Sequence, residues 1–346
     1  MATGYFHRVQ SLSPTRFWIN NVTETEARLA IAAGAVGCTQ NPAYVWKMIQ
    51  AEPERTFALL DTILGEQADD TQALIWLQKR LIERIADIFK PIWTESNGRH
   101  GHVTIQGDPF DEQAAAIVRQ AHLNCQNRPN LSAKIPVTAD GLTAIAVLAA
   151  EGLTLTLTEV MSVQQAMDAC EVWEQAVRGL KVQPVAYLAH IPGIFDEHLQ
   201  HQAQAQHLDI EPDLLWQAGV AVSKKIFDLM RQRATPIRFM AGGARGLHHF
   251  TELVGVDGCI TINWGGTADR LLEEDPPVVQ RFLQAVPTPV LDRLLRQVPD
   301  FARAYALQAL QAEAYDQFGP VVRFRTAFEH AWSQALQAVA DRRKQR

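Results

Sequence analysis

The chain has 346 residues, of which 47% are hydrophobic, and a formal net charge of −6. That length suits one large α/β unit or two ordinary ones, and the slight acidity offers no clustered basic surface for nucleic acid. The four cysteines, Cys38, Cys125, Cys170 and Cys259, lie far apart without a C-x-x-C pair. This spacing argues against a zinc site or disulfide framework and fits reduced thiols in the cytoplasm. The amino-terminal ten residues lack the apolar core of a signal peptide. The longest apolar stretches, such as 142–150, are too short to span a bilayer. A cytoplasmic protein without a membrane partner is therefore expected.

Short runs of strand character alternate with longer amphipathic segments. The first run, 16–20, is followed by a helical segment 23–33 in which Thr23 and Glu26 have capping-box spacing. Run 35–39 comes next, then a stretch 42–91 that reads as two or three helices. Run 102–106 precedes a helix at 111–124 rich in Ala and Gln. Run 131–136 precedes a helix at 139–150, which Glu151-Gly152 can stop. Run 153–158 leads to a helix at 162–178, run 183–189 to one at 212–233, and runs 237–241 and 258–263 complete the set. The remainder reads as helical, ending in the charged run 341–346. Eight runs, several apolar on both faces, predict a closed parallel (β/α)8 TIM barrel covered by helices. With no internal repeat and no Gly/Ser linker, residues 1–346 are read as one domain. It carries a helical insertion at 42–91 and a helical extension at 267–346.

In such barrels chemistry sits at the carboxyl ends of the strands. The residues closing the runs are Asn20; Thr39 and Asn41; Gln106 and Asp108; Lys134; Thr156, Thr158 and Glu159; His190; Arg245; and Asn263 with Trp264. Lys134 stands out because it interrupts an apolar strand, Leu131-Ser-Ala-Lys-Ile-Pro-Val137. Desolvation disfavours the ammonium form there, which leaves more free amine to attack a carbonyl. The structural alternative is a lysine paired with a carboxylate or extended to solvent.

The order of motifs resembles the transaldolase family over nearly the whole chain. Lys134 is followed by Thr138-x-x-Gly141 and then Glu151-Gly152, similar to the segment that follows the family's imine-forming lysine. Thr156-Leu-Thr158 and Ser162-x-x-Gln165-Ala166 are similar to its Asn-x-Thr strand and Phe-Ser-x-x-Gln-Ala helix. Gly37-Cys-Thr-Gln-Asn-Pro42 is similar to its Thr-x-Asn-Pro, and Trp18-Ile-Asn20 to its Trp-x-Asp. Met240-Ala-Gly-Gly-Ala-Arg-Gly246 sits where the family has an Ala-Ser-Phe-Arg-Asn type segment.

The resemblance implies that Lys134 condenses with the C2 carbonyl of a ketose or ketose phosphate. A dihydroxyacetone-type unit would then pass to an aldehyde acceptor, as in the pentose phosphate pathway. Thr158 would relay protons, Thr39, Asn41 and Thr156 would touch donor hydroxyls, and Arg245 would bind phosphate. The lysine is the electron sink, so no cofactor and no metal are implied, and the only partner implied is the sugar. A homo-oligomer is compatible with the insertion.

The sequence departs from the family pattern in five places. Asn20 and Gln106 stand at positions where a first-strand aspartate and a relay glutamate are usual. Thr156 replaces an asparagine, Ala189 a serine, and Ile194 a second phosphate-binding arginine. A glutamine cannot shuttle a proton, so Asp108, Glu159 and His190 are candidate acid/base groups. Their structural alternatives are a turn cap, a solvent-facing carboxylate and a packed histidine. The loss of one arginine points to a donor with a weaker phosphate grip or a different tail. Two further readings stay open: a class I aldolase releasing the three-carbon unit, and a non-catalytic barrel binding a sugar phosphate or a protein. Gly242–Gly246 could form a backbone nest for an anion. His248-His249 and His100-Gly-His102 lack the spacing of a metal motif.

Overall fold

The computed structural model describes residues 4–346. Eight parallel strands close on themselves in chain order: β1 Arg16–Asn20, β2 Cys38–Thr39, β3 Val103–Gln106, β4 Leu131–Pro136, β5 Leu155–Val160, β6 Ala186–His190, β7 Arg238–Ala241 and β8 Gly258–Asn263. β8 returns to pair with β1, Asn20 lying beside Asn263. The architecture is the expected (β/α)8 barrel. Three strands keep their predicted bounds, while β2 starts three residues later than predicted and β5 runs two residues further. Strand burial is nearly complete because the barrel packs side chains on its inside and helices on its outside.

The helices begin where their caps dictate. Thr23 and Glu26 form the capping box at the start of Glu24–Ala32. Ser162 caps Val163–Ala176 by accepting from the Gln165 N–H. The insertion holds three helices, Ala43–Ala51, Pro53–Glu66 and Asp70–Glu95, the last running through Pro91. The predicted helix 212–233 breaks into Pro212–Leu215 and Ala218–Arg233.

Two features of the fold bear on the site. The carboxyl-terminal helix Gly319–Lys344 buries Phe324, Phe328 and Trp332. It is anchored to the insertion by the Arg342 guanidinium, which donates twice to Asp61 at 2.8 and 2.6 Å, and by Arg343 on Asp70. The second feature is the turn after β4. Thr138 caps the helix Ala139–Ala150 by accepting from Gly141 N–H at 3.1 Å. A Cβ at Gly141 would lie 1.8 Å from the Pro136 carbonyl oxygen, which explains why the Thr-x-x-Gly spacing suits this turn. Gly141→Ala is expected to cost about 1–3 kcal/mol through forced backbone displacement, measured as a lower urea midpoint. Because Pro136 lies two residues from Lys134, activity should fall with it.

Candidate active site

At the carboxyl end of the barrel lies a cleft with a volume of about 230 Å3. Its lining brings together Asn20, Thr39, Asn41, Lys134, Thr156, Thr158 and Arg245 from seven of the expected positions. Lys134 and Arg245 are its only charged lining residues among those described.

Lys134 is 6% exposed. Among the described residues its amine makes no hydrogen bond or ion pair. It faces the rings of Phe324 and Phe328, 5.8 and 5.5 Å from their centroids. These rings come from the carboxyl-terminal helix and roof the amine. Burial draws the Lys134 amine down to about 8, and the nearby Glu159 charge only partly opposes this. Beside it the Thr158 hydroxyl is buried with no hydrogen-bond partner among the described residues. The Thr156 hydroxyl instead meets the Ser132 hydroxyl at 2.8 Å.

The opposite wall is an amide and hydroxyl network. Thr39 donates to Asn20 Oδ1 at 2.9 Å and meets the Thr261 hydroxyl at 2.7 Å, while Asn20 Nδ2 donates to Asn263 at 2.8 Å. Asn41 accepts from Asn21 Nδ2 at 3.0 Å and from the Ala43 N–H at 3.1 Å, a turn that leads into the helix Ala43–Ala51. Asn21, Thr261 and the two phenylalanines belong to the cleft but were not singled out from sequence. A signal existed for Asn21, which directly follows Asn20; for the phenylalanines only the aromatic content of the last helix hinted at a role.

The acid/base candidates separate. His190 corrects the sequence reading, because it does not reach the cleft. It is fully buried, and its Nδ1 lies 2.8 Å from the Ser223 hydroxyl on the helix Ala218–Arg233. The inward residue of β6 is its neighbour Ala189. Asp108 takes its structural alternative, with Oδ1 accepting from the Phe110 N–H at 2.9 Å in a turn. Glu159 does not face solvent as its structural alternative held; it is fully buried. β5 carries a register shift between Leu157 and Val160, and Glu159 adopts the left-handed conformation with φ 60°. Such a conformation costs on the order of 1–3 kcal/mol and persists only where the surroundings enforce it. Here Gln165 enforces it, donating to the carbonyls of Val137 at 2.9 Å and Glu159 at 3.3 Å. The bulge redirects the Glu159 side chain across the end of β4 to β3, where Gln106 Nε2 donates to its Oε1 at 3.0 Å.

At the far side Arg245 is tied to Glu197. Its Nε donates to that carboxylate at 3.1 Å, and Arg323 lies 3.3 Å from the other oxygen. Burial pushes the Glu197 carboxyl up, but the two arginines outweigh it and hold it below the usual carboxylate range. His248 and His249 stand with Asp196 within 4.8 Å of one another, a set able to ligate a metal. Hydrogen bonds already occupy most of it: Asp196 accepts from the Gly219 N–H and faces His249 Nε2 at 3.0 Å, and His249 Nδ1 accepts from the Arg245 N–H. The pair thus braces the loop that presents Arg245. Trp264 lies outside the cleft lining.

The family described as Transaldolase/Fructose-6-phosphate aldolase matches residues 17–286. The chain belongs to this family. A protein named Transaldolase from Mycobacterium bovis is 28% identical over 244 residues, 67% of this chain and 63% of that protein. A Transaldolase from Acidothermus cellulolyticus is 25% identical over 250 residues, covering 68% and 67%. One from Mycobacterium marinum is 30% identical over 234 residues, covering 64% and 60%. The matched stretch therefore spans less than two thirds of the mycobacterial relatives. Among the described residues no helix is long and apolar enough to cross a membrane.

Proposed function

We propose that this family member is a ketose-cleaving enzyme that forms an imine through Lys134 and transfers a dihydroxyacetone-type unit to an aldehyde. The observation that carries this reading is a buried amine, free of ion pairs among the described residues, on the floor of a hydroxyl- and amide-lined cleft. Desolvation, by drawing the amine down to about 8, brings the neutral form that carbonyl attack needs within easier reach. Thr158 offers an unengaged hydroxyl beside it, and Asn20, Thr39 and Asn41 offer hydrogen bonds suited to sugar hydroxyls. The aromatic roof keeps water from the bound three-carbon unit, which favours transfer over release. The soluble sugar is the partner this reading requires, and the cytoplasm is the compartment that fits it.

The donor's tail is less anionic than in the family pattern. Ile194 lines the cleft where a second arginine is usual, and Glu197 already neutralises Arg245. A ketose without a terminal phosphate should therefore compete with fructose 6-phosphate. The test compares kcat/KM for fructose 6-phosphate and unphosphorylated ketoses with erythrose 4-phosphate as acceptor. Ratios within about tenfold are expected, that is about 1.4 kcal/mol, and a thousandfold preference for the phosphate ester would contradict the reading of the tail. Glu197→Gln should raise kcat/KM for fructose 6-phosphate about tenfold by freeing Arg245 for a charge-assisted bond, with no change for the unphosphorylated sugar. Free dihydroxyacetone in the absence of an acceptor, measured by a coupled assay, separates release from transfer.

A further inference from the structure

Imine formation from a buried ammonium needs a group to take its proton, and Gln106 has none to offer. The bulge in β5 brings Glu159 to this place. The carboxyl of Glu159 bridges from β5 to Gln106 on β3, and Gln106 is the register partner of Lys134 on β4. One oxygen is held by Gln106 Nε2, while the other, Oε2, is buried without a partner among the described residues. A second crevice, separate from the cleft, is lined by Lys134, Gln106, Asp108 and Glu112. It runs between the loop after β3 and the helix Ala114–Cys125, with a volume of about 20 Å3, room for about one water, and Glu159 meets it through Gln106.

We propose that Glu159 takes the proton that Lys134 must lose and returns it when water departs, with Glu112 passing protons between Glu159 and solvent along this crevice. The inference rests on the imine reading above. In the first step an N–H bond of the Lys134 ammonium breaks and an O–H bond forms on Glu159. The neutral amine then adds to C2, and a proton moves from nitrogen to the new alkoxide. Finally the C2 hydroxyl takes the Glu159 proton and leaves as water, giving the iminium and restoring the carboxylate. No oxidant, reductant or metal enters the balance.

The charged surroundings suit this exchange. Lys134 faces Glu159 from β4, Arg325 and Glu329 from the carboxyl-terminal helix, and Glu112 from the loop, with Asp108 acting on Glu112. Burial raises the Glu159 carboxyl, against the Gln106 hydrogen bond and the Lys134 charge. Burial and then the Glu159 charge push Glu112 up to about 9. The Glu159 charge thus favours the protonated form of Glu112, which suits it to carry a proton.

The experiment follows the rate of borohydride-trapped adduct on Lys134 against pH, using dihydroxyacetone and fructose 6-phosphate, in the wild type, Glu159→Gln and Glu112→Gln. Glu159→Gln keeps an acceptor for Gln106. It should form the adduct about 100-fold more slowly near pH 7, with a rate that climbs steadily with pH as hydroxide takes over. Glu112→Gln should slow trapping about tenfold, and rising buffer concentration should restore it. A Glu159→Gln rate within threefold of the wild type at every pH would overturn the proposal, as would a Glu112→Gln rate indifferent to buffer. No Lys134 adduct in the wild type would instead defeat the imine reading itself.

Discussion

Lys134→Met is expected to abolish ketose cleavage while making the protein more stable. Activity should drop at least about 10⁴-fold, since the amine proposed to form the imine is removed without a substitute. The stability effect follows from proton linkage. In the unfolded chain the amine titrates near 10.4, whereas burial holds it at about 8 in the fold. Between these values the unfolded state binds more protons, so stability rises with pH across that window. Below about pH 8 the native lysine carries its full penalty, roughly 3 kcal/mol. Methionine matches the length of the stem without the charge, and Glu159 can remain a neutral carboxylic acid beside it. Urea unfolding should therefore show Lys134→Met more stable by roughly 2–3 kcal/mol at pH 7, with the advantage fading above pH 10. A variant less stable than the wild type at pH 7 would show that the lysine is not desolvated as described.

Phe328→Ala should do damage of a different kind. Phe328 is 3% exposed, packs on Phe324 with centroids 4.4 Å apart, and roofs Lys134. Truncation removes a buried ring and leaves a cavity, at about 3–5 kcal/mol. The same cavity opens the cleft to water. Transfer to an aldehyde should fall at least about tenfold, and free dihydroxyacetone should rise as a share of product. Thermal unfolding and a product ratio with and without acceptor check the two parts separately. Unchanged product partition in a folded variant would remove the roof from the mechanism.

The barrel and the buried lysine in its cleft were legible in the sequence because they rest on short-range signals. Runs apolar on both faces mark buried parallel strands, and a lysine in one of them can only point inward or be costly. The cleft residues Thr39, Asn41 and Thr158 followed from the rule that strand ends carry the site. Parity was the weak point. β6 runs to His190, and a strand's alternation decides which of two neighbours faces in; Ala189 does, and His190 turns to Ser223. The bulge was invisible for a related reason. Nothing in Thr158-Glu-Val160 signals a left-handed residue, and the Gln165 clasp that enforces it comes from the next helix. The Phe324 and Phe328 roof depends on contacts between the last helix and β4, far apart in the chain, which no local pattern encodes.

The claim on which the mechanism stands is that the Lys134 amine is free to condense with a ketose. Borohydride reduction of the protein with dihydroxyacetone and with fructose 6-phosphate, followed by peptide mass mapping, tests it directly. A single reduced three-carbon adduct on the peptide carrying Lys134, absent from Lys134→Met, is the expected result. Adducts scattered over surface lysines, or none on Lys134 with either sugar, would contradict it.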